Sequence, residues 1–424
     1  MKNTAIDTSN LSKSINQKTT PPLQLSIESE ISPLKTVLLH RPGQELENLT
    51  PNRLEELLFD DIPFLEIAQQ EHDYFAAKLE ELGVTVVYLE NLVAEVLIDK
   101  TIRKRFIEEF FSLANLNQSN FKVAIVDYLN SLTPQEITKK LISGIKKDEL
   151  TYIDKSFSAY INRDYLFAIA PLPNLYFTRD PAFILGNRVN FNKMHAFARQ
   201  RETLFTKYIF TYHSQFKTDH AYDWMTSQYS IEGGDVLVLT KDTLAIGISQ
   251  RTQAQALEIL AQTLFFNEDD QKIKKILVFH IPSSRAFMHL DTVFTQVDYD
   301  KFAMHPGIVE YTDIYELTGN QYQRLQYRQL SGSTDTILST VLDQKVTIFQ
   351  CGGHDIVSSR REQWSDGANT LTVKPGEVLV YQRNKVTNQV LQDGGINIHP
   401  IPCSELSRGR GGPRCMSMPL IRKC

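Results

Sequence analysis

Three short apolar runs, each opened by an aspartate, recur through the middle of this chain. Asp180-Pro-Ala-Phe-Ile-Leu passes through Gly186-Asn187 into Arg-Val-Asn-Phe. Asp235-Val-Leu-Val-Leu passes through Lys241-Asp242 into Thr-Leu-Ala-Ile-Gly-Ile, and Asp291-Thr-Val-Phe-Thr-Gln-Val passes through Asp298-Tyr-Asp300 into Lys-Phe-Ala-Met. The aspartates at 180, 235 and 291 stand 55 and then 56 residues apart. Each block reads as a β-hairpin: a short apolar run, polar turn residues and a second run. Helical spacing follows the first two. Leu257, Leu260, Ala261 and Leu264 mark one face after Arg251, and Phe205 and Ile209 do so in the stretch that Arg199 opens. Looser copies lie at Leu34 to His40 and at Thr370 to Tyr381. A period of this length favours radial repetition of a strand-and-helix unit, like blades of a propeller, although any α/β chain can place hairpins at such intervals.

From about Leu92 to Ile153 the rhythm breaks. Ile102, Phe106, Phe110 and Leu113 follow helical spacing, and Thr133-Pro-Gln-Glu136 carries an N-cap, a proline at the first helical position and a capping-box glutamate. Ile137, Leu141 and Ile145 continue the apolar stripe. Residues 92–153 therefore read as a helical bundle inserted into the array, its stripes serving as core. The chain of 424 residues is long enough for two or three domains, or for one large domain with an insertion, and 42% hydrophobic residues supply a sizeable core.

A net charge of −5 with no basic stripe argues against nucleic acid as the main partner. No run approaches ~20 apolar residues, so no membrane span is expected. Residues 1–22 are polar and lack a signal-peptide core, which predicts a frayed tail, a catalytic unit from 23 to 424, and residence in the cytoplasm. The four cysteines, at 351, 403, 415 and 424, form no C-x-x-C, and neither H-E-x-x-H nor a phosphate-binding G-x-x-x-x-G-K occurs. A zinc ribbon, a disulfide framework, a metalloprotease and a nucleotide enzyme lose support.

Cys415 lies in the run R-G-R-G-G-P-R-C-M-S-M-P. Arg408, Arg410 and Arg414 beside it are expected to favour the thiolate, and the glycines let a ligand approach the backbone. Three acid-bearing motifs open the hairpins: Phe177-Thr-Arg-Asp180-Pro, Glu232-Gly-Gly-Asp235 and Met288-His289-Leu-Asp291. If the units are radial, Asp180, Glu232, His289 and Asp291 converge with Cys415. Each has a plainer role: Asp235 as a turn cap, a lone histidine as structure, a cytosolic cysteine as a small hydrophobe. His289-x-Asp291 could be half of a metal site, but no partner cluster has ligand spacing. Several carboxylates beside a thiol suit a planar cation such as a guanidinium, which paired hydrogen bonds can grip.

The segments N-L-Y-F-T-R-D-P, R-Q-R-E-T-L-F, E-G-G-D, S-Q-R-T, M-H-L-D-T-V-F and S-R-G-R-G-G-P-R-C-M-S-M-P together resemble those of the arginine deiminase family, in the guanidino-group-modifying (pentein) superfamily. The resemblance runs from near Leu34 to the last residues and implies a five-bladed α/β propeller with pseudo-fivefold repeats and an inserted helical bundle. It implies hydrolysis of L-arginine to L-citrulline and ammonia through a covalent amidino-cysteine intermediate, with no cofactor, no metal, no nucleic acid, no membrane, and a homo-oligomeric assembly. By the same resemblance Cys415 is the nucleophile and His289 the general acid and base; Asp180 and Asp291 hold the guanidinium, and Glu232 orients or charges His289, with a substrate contact as a further role. Asn174, Arg199 and Arg251 correspond to residues at the amino-acid end, Phe177 to one on the aliphatic stem, Leu58 and Gly409 to carbonyls near the α-amine, and Arg410 to a residue at the mouth. Read alone, Arg199 and Arg251 are solvated helix starts. Rival readings are hydrolysis of agmatine or methylated arginine, amidino transfer, a metal-dependent arginase, and a non-catalytic arginine-binding protein.

Overall fold

The computed structural model describes residues 23–116, 121–161, 164–267, 272–309 and 312–423. The expected tail at 1–22 and Cys424 lie outside them. The fold is α/β. Each hairpin read from the sequence is present as an antiparallel pair, and a helix then returns the chain to a third strand parallel to the second. Ala182–Leu185 and Arg188–Phe191 are followed by helix Glu202–Tyr212 and strand Ala221–Asp223. Val236–Thr240 and Thr243–Ile248 are followed by helix Ala254–Phe266 and strand Lys275–His280. Phe294–Asp298 and Lys301–Met304 are completed by helix Thr334–Leu342 and strand Thr347–Gln350.

The two looser copies follow the same rule. Leu371–Lys374 pairs with Glu377–Tyr381, then helix Lys385–Asp393 leads to Asn397–Ile401. The last unit joins both ends of the chain: Met418–Arg422 pairs antiparallel with Leu34–Leu39, and helix Leu65–Glu81 leads to the parallel strand Thr85–Tyr88. Parallel pairing needs such a crossover, which is why every unit carries a helix.

Two features depart from the sequence reading. In the third unit Asp291 does not begin the strand; it sits in a tight turn, Leu290–Thr292, and the strand starts at Phe294. An extra hairpin, Asp313–Gly319 with Leu325–Gln329, joins the second unit's sheet by pairing with Lys275–His280 and widens the third interval. Its residues alternate without a strong apolar face, so nothing in the pattern announced it.

Helices Leu89–Val96, Lys100–Leu113, Lys122–Asn130 and Pro134–Ser143 fill the region that broke the rhythm. The capping box at Thr133 and Glu136 forms as read. The last helix stops at Gly144, whose φ of 84° suits glycine, so Ile145 pairs in a short strand with Ile169 instead of extending the stripe. Phe106 stacks edge-on against Phe205 and Tyr208, at 5.3 and 4.9 Å between ring centres, so this region shares its core with helix Glu202–Tyr212. Each fully buried phenylalanine contributes about 1.5–3 kcal/mol. Among the described residues no helix is long and apolar enough to cross a membrane.

The openings of the five first strands are tied to one another in sequence. Gly233 N–H donates to the Asp180 carbonyl at 3.1 Å, and Leu290 N–H donates to Asp235 Oδ1 at 2.8 Å. Asn369 Nδ2 donates to the Asp291 carbonyl at 2.9 Å, Cys415 N–H to Asn369 Oδ1 at 3.1 Å, and Arg179 N–H to the Cys415 carbonyl at 3.2 Å. The five bonds form a closed circuit through all five units; Asp180, Asp291 and Cys415 stand on it, and Glu232 and His289 are each one residue from it.

Candidate active site

Each strand opening is a tight turn or bend, because a strand that begins at a shared centre must first leave it. Such turns hold side chains at short leashes. Asp180, Glu232, His289, Asp291 and Cys415 are all buried there. His289 Nε2 meets Glu232 Oε2 at 2.7 Å, and His289 Nδ1 lies 3.9 Å from Asp180 Oδ1. Cys415 Sγ lies 3.5 Å from Asp291 Oδ2. Gly234 makes the crowding possible: a Cβ there would sit 2.8 Å from the His289 ring and 2.9 Å from Asp180 Oδ1.

Each aspartate holds an arginine with one oxygen. Arg199 Nη1 donates to Asp180 Oδ2 at 2.7 Å, and Arg414 Nη1 donates to Asp291 Oδ2 at 2.8 Å. The remaining oxygens, Asp180 Oδ1 and Asp291 Oδ1, are buried and have no hydrogen-bond partner. A buried acceptor without a donor costs about 1–3 kcal/mol, so both oxygens are poised for a ligand that brings N–H groups.

One cavity joins Leu58, Asn174, Phe177, Asp180, Arg199, Arg251, Met288, His289, Thr292, Gly409, Arg410 and Cys415. Its volume is about 20 Å³. That is room for roughly one water. Side chains must withdraw before anything the size of an amino acid enters. A broader depression outside, lined by Leu54, Asp60, His195, Gln250 and Arg285, shares Leu58 and Arg251 with the cavity.

The two arginines ascribed to the amino-acid end differ. Arg199 is enclosed by carboxylates: besides Asp180 it donates to Glu202 Oε2 from Nε at 3.0 Å and from Nη2 at 2.9 Å. Arg251 is as deeply buried, yet its Nε and Nη1 have no partner, and its Nη2 reaches only Met288 Sδ at 3.6 Å. Neither is a solvated helix start. Asn174 Nδ2 donates to the Leu57 carbonyl at 2.7 Å. The Leu58 carbonyl, implied to face an α-amine, accepts from Arg285 Nη2 at 2.7 Å, with Leu58 itself at a φ of 63°. Gly409 packs so closely on Tyr176 that a Cβ would fall 1.9 Å from its hydroxyl. Arg410 lies over the Trp364 ring at 3.5 Å.

Of the three loop arginines only Arg414 acts on the thiol in the direction the sequence suggested, and it is outweighed. Arg408 pairs with Asp61 and Glu405, and Arg410 faces Trp364 and Asp60. Arg414 is engaged by Glu30 and Asp291. Burial, then the charges of Asp291, Asp180 and Asp366, push the Cys415 thiol well above its usual range, and Arg414 only partly opposes them. Without a cation in the cavity the sulfur keeps its proton.

His289 behaves in the opposite way. Burial disfavours its charge, but Asp180 and the hydrogen-bonded Glu232 outweigh that and push it up to about 9. Burial likewise opposes the Glu232 charge, and His289, Arg251 and Arg199 bring it down to about 2. A histidine raised from 6.5 to about 9 stabilises the fold fully below pH 6.5 and loses that contribution as pH rises through 9. We therefore expect unfolding free energy to fall by on the order of 2–3 kcal/mol over that climb. Urea titrations of the wild type and His289→Gln at pH 6.5 and above 9 check this; the variant should lack the decline.

Donor atoms of Asp180, Glu232 and His289 lie within 4.8 Å of one another, a spacing that could hold a metal ion. Arg199 Nη1, 2.7 Å from Asp180 and 4.0 Å from Glu232, already supplies the positive charge there. The sequence reading missed Glu202, Glu30 and Asn369. Only Asn369 had a local signal, since it precedes the strand at Leu371 as the aspartates precede theirs.

A cysteine, a histidine and open carboxylate oxygens thus stand together on converging strand starts of an α/β fold, and the fold is of the pentein type. Solved structures agree on the fold. The SxtG amidinotransferase from Microseira wollei aligns at a TM-score of 0.53 and 13% identity, covering 94% of this chain and 98% of its own. A dimethylarginine dimethylaminohydrolase aligns at 0.51 and 13%, covering 91% and 99%. The model of the arginine deiminase family matches residues 55–422. Arginine deiminases of Clostridium perfringens and Streptococcus pneumoniae are 48% and 50% identical over 406 residues, 94% of this chain and 98% of each relative. The chain belongs to the arginine deiminase family.

Proposed function

We propose that this protein hydrolyses L-arginine to L-citrulline and ammonia, with Cys415 as nucleophile. The observation that carries the reading is the pair of unpartnered oxygens, Asp180 Oδ1 and Asp291 Oδ1, around a cavity shared with Cys415 and His289. A guanidinium offers paired N–H groups to both. Family membership names the reaction, since the curated relatives are arginine deiminases.

The guanidinium, once between the aspartates, offsets the negative charge that keeps Cys415 protonated, and the thiol releases its proton to water. The thiolate attacks the guanidinium carbon, forming a C–S bond. His289, charged below about pH 9, gives its proton to the departing nitrogen, and ammonia leaves as the C–N bond breaks. An amidino-thioether remains on Cys415. Neutral His289 then takes a proton from water as its oxygen bonds to the same carbon. The hydroxyl of that adduct gives its remaining proton to solvent as the C–S bond breaks, which returns the thiolate and releases citrulline.

Arg251 suits the α-carboxylate, because its Nε and Nη1 lack partners while Arg199 is held by Asp180 and Glu202. Asn174, Phe177, Leu58, Gly409 and Arg410 line the rest of the substrate's path. Residues 23–424 form one catalytic unit in this reading, a five-bladed α/β propeller with 92–153 inserted, and the closed circuit of bonds through the five strand starts supports it. A cytoplasmic homo-oligomer without cofactor belongs to the same proposal and rests on the family resemblance.

Arginine should yield citrulline and ammonia in equal amounts. Agmatine, which has no carboxylate for Arg251, should show a kcat/KM about tenfold to a hundredfold lower, the worth of one charged hydrogen bond. Equal turnover of agmatine would overturn the assignment of the amino-acid end.

A further inference from the structure

The fourth strand opening, Asn369, bears on the sulfur directly. Its side chain makes four hydrogen bonds, which uses its full capacity. Oδ1 accepts from the backbone N–H of Arg414 and of Cys415, each at 3.1 Å. Nδ2 donates to the Asp291 carbonyl at 2.9 Å and to Cys415 Sγ at 3.1 Å. The amide's orientation does not depend on the sulfur. Turned over, its NH₂ would face two N–H donors and its oxygen a carbonyl, three repulsive contacts in a dry site. Three backbone groups therefore dictate that the fourth bond points an N–H at Sγ.

The surroundings are built for this approach. Asn369 is 1% exposed. A Cβ at Gly412 would stand 2.7 Å from its carbonyl oxygen and 2.8 Å from Oδ1, so the third glycine of R-G-R-G-G-P-R-C is what admits the side chain. The other groups near the sulfur have opposing effects. Asp291 Oδ2, at 3.5 Å, favours the thiol, and Arg414 is compensated by Glu30 and Asp291. Asn369 Nδ2 is the hydrogen-bond donor that reaches Sγ among the described residues.

A neutral thiol is a weak acceptor, whereas a thiolate accepts strongly. An N–H fixed on the sulfur thus strengthens when the thiolate forms, and again when the C–S bond breaks and charge returns to sulfur. We infer that Asn369 is a catalytic residue: it stabilises the Cys415 thiolate as nucleophile and as leaving group while fixing the loop that presents it. This rests on Cys415 being the nucleophile.

Asn369→Asp separates the two duties, because the carboxylate keeps the two accepted backbone bonds and loses the donor. Two readouts are taken on the purified full chain: steady-state arginine turnover, and the pH dependence of iodoacetamide alkylation at Cys415, followed by mass mapping. Expected are a kcat lower by about tenfold to a hundredfold, a KM within a few-fold, and an alkylation midpoint displaced upward by about one pH unit or more. Asn369→Ala serves as the charge-free comparison where it folds, and should move both readouts the same way. An unchanged alkylation profile in Asn369→Asp overturns the inference, and so does a loss confined to KM. Failure of the nucleophile assignment looks different: Cys415→Ser would then keep turnover, whatever Asn369 does.

Discussion

Replacing Cys415 with serine should lower citrulline formation by at least about 10⁴-fold and leave arginine binding within about tenfold of the wild type. The asymmetry follows from where binding and chemistry reside. In the proposed reading the guanidinium is gripped by Asp180 and Asp291 and the carboxylate by Arg251, all of which the substitution leaves in place. Serine fits the space, keeps a donor toward Asp291 Oδ2, and cannot ionise where burial and three carboxylates already oppose charge on sulfur. Equilibrium binding of labelled arginine, beside a citrulline assay, separates the two quantities. Loss of both together would mean that the cysteine supports the cavity and not the reaction.

Replacing Arg414 with alanine should cost about 3–5 kcal/mol of unfolding free energy. Its guanidinium donates to Glu30 from Nε and Nη2, each at 3.1 Å, to Asp291 at 2.8 Å and to the Val236 carbonyl at 2.8 Å. Burial opposes its charge, but Glu30 and Asp291 together raise it above the usual arginine range. Glu30 in turn is held at about 2 against its own burial, chiefly by Arg414 with help from Arg179. Removing the guanidinium leaves two buried carboxylates and a carbonyl without their main partner. Denaturant unfolding at pH 7 measures the difference, and a loss below about 1 kcal/mol would show that water or Arg179 takes over.

Hairpins and their acidic openings were legible because a strand start at a crowded centre imposes short polar leashes before apolar runs, as at Asp180 and Asp235. The capping box at Thr133 and Glu136 was equally plain, since its chemistry spans four neighbouring residues. What escaped was long-range. Glu30 meets Arg414 from the far end of the chain, and no local pattern ties them. The same pairing explains why Arg414 lowers the thiol only in part: its charge is matched by Glu30 and Asp291, acids that the loop's own sequence does not contain. Asn369 carries little signal of its own, because an asparagine before a strand is ordinary turn chemistry, and its significance appears only when the loop bearing Cys415 folds against it. Family resemblance supplied the roles of Arg199 and Arg251 together, and the structure separates them, one enclosed by Asp180 and Glu202 and the other with nitrogens to spare.

The most direct measurement is the mass of the peptide containing Cys415 after turnover of arginine is stopped with acid. Covalent attack on the guanidinium carbon predicts that Cys415 alone carries the added mass of the substrate's amidino-bearing fragment, and that the adduct accumulates in the His289→Gln variant if its water step is the slower one. A Cys415 peptide that stays unmodified in both proteins, while citrulline continues to form, would contradict the account.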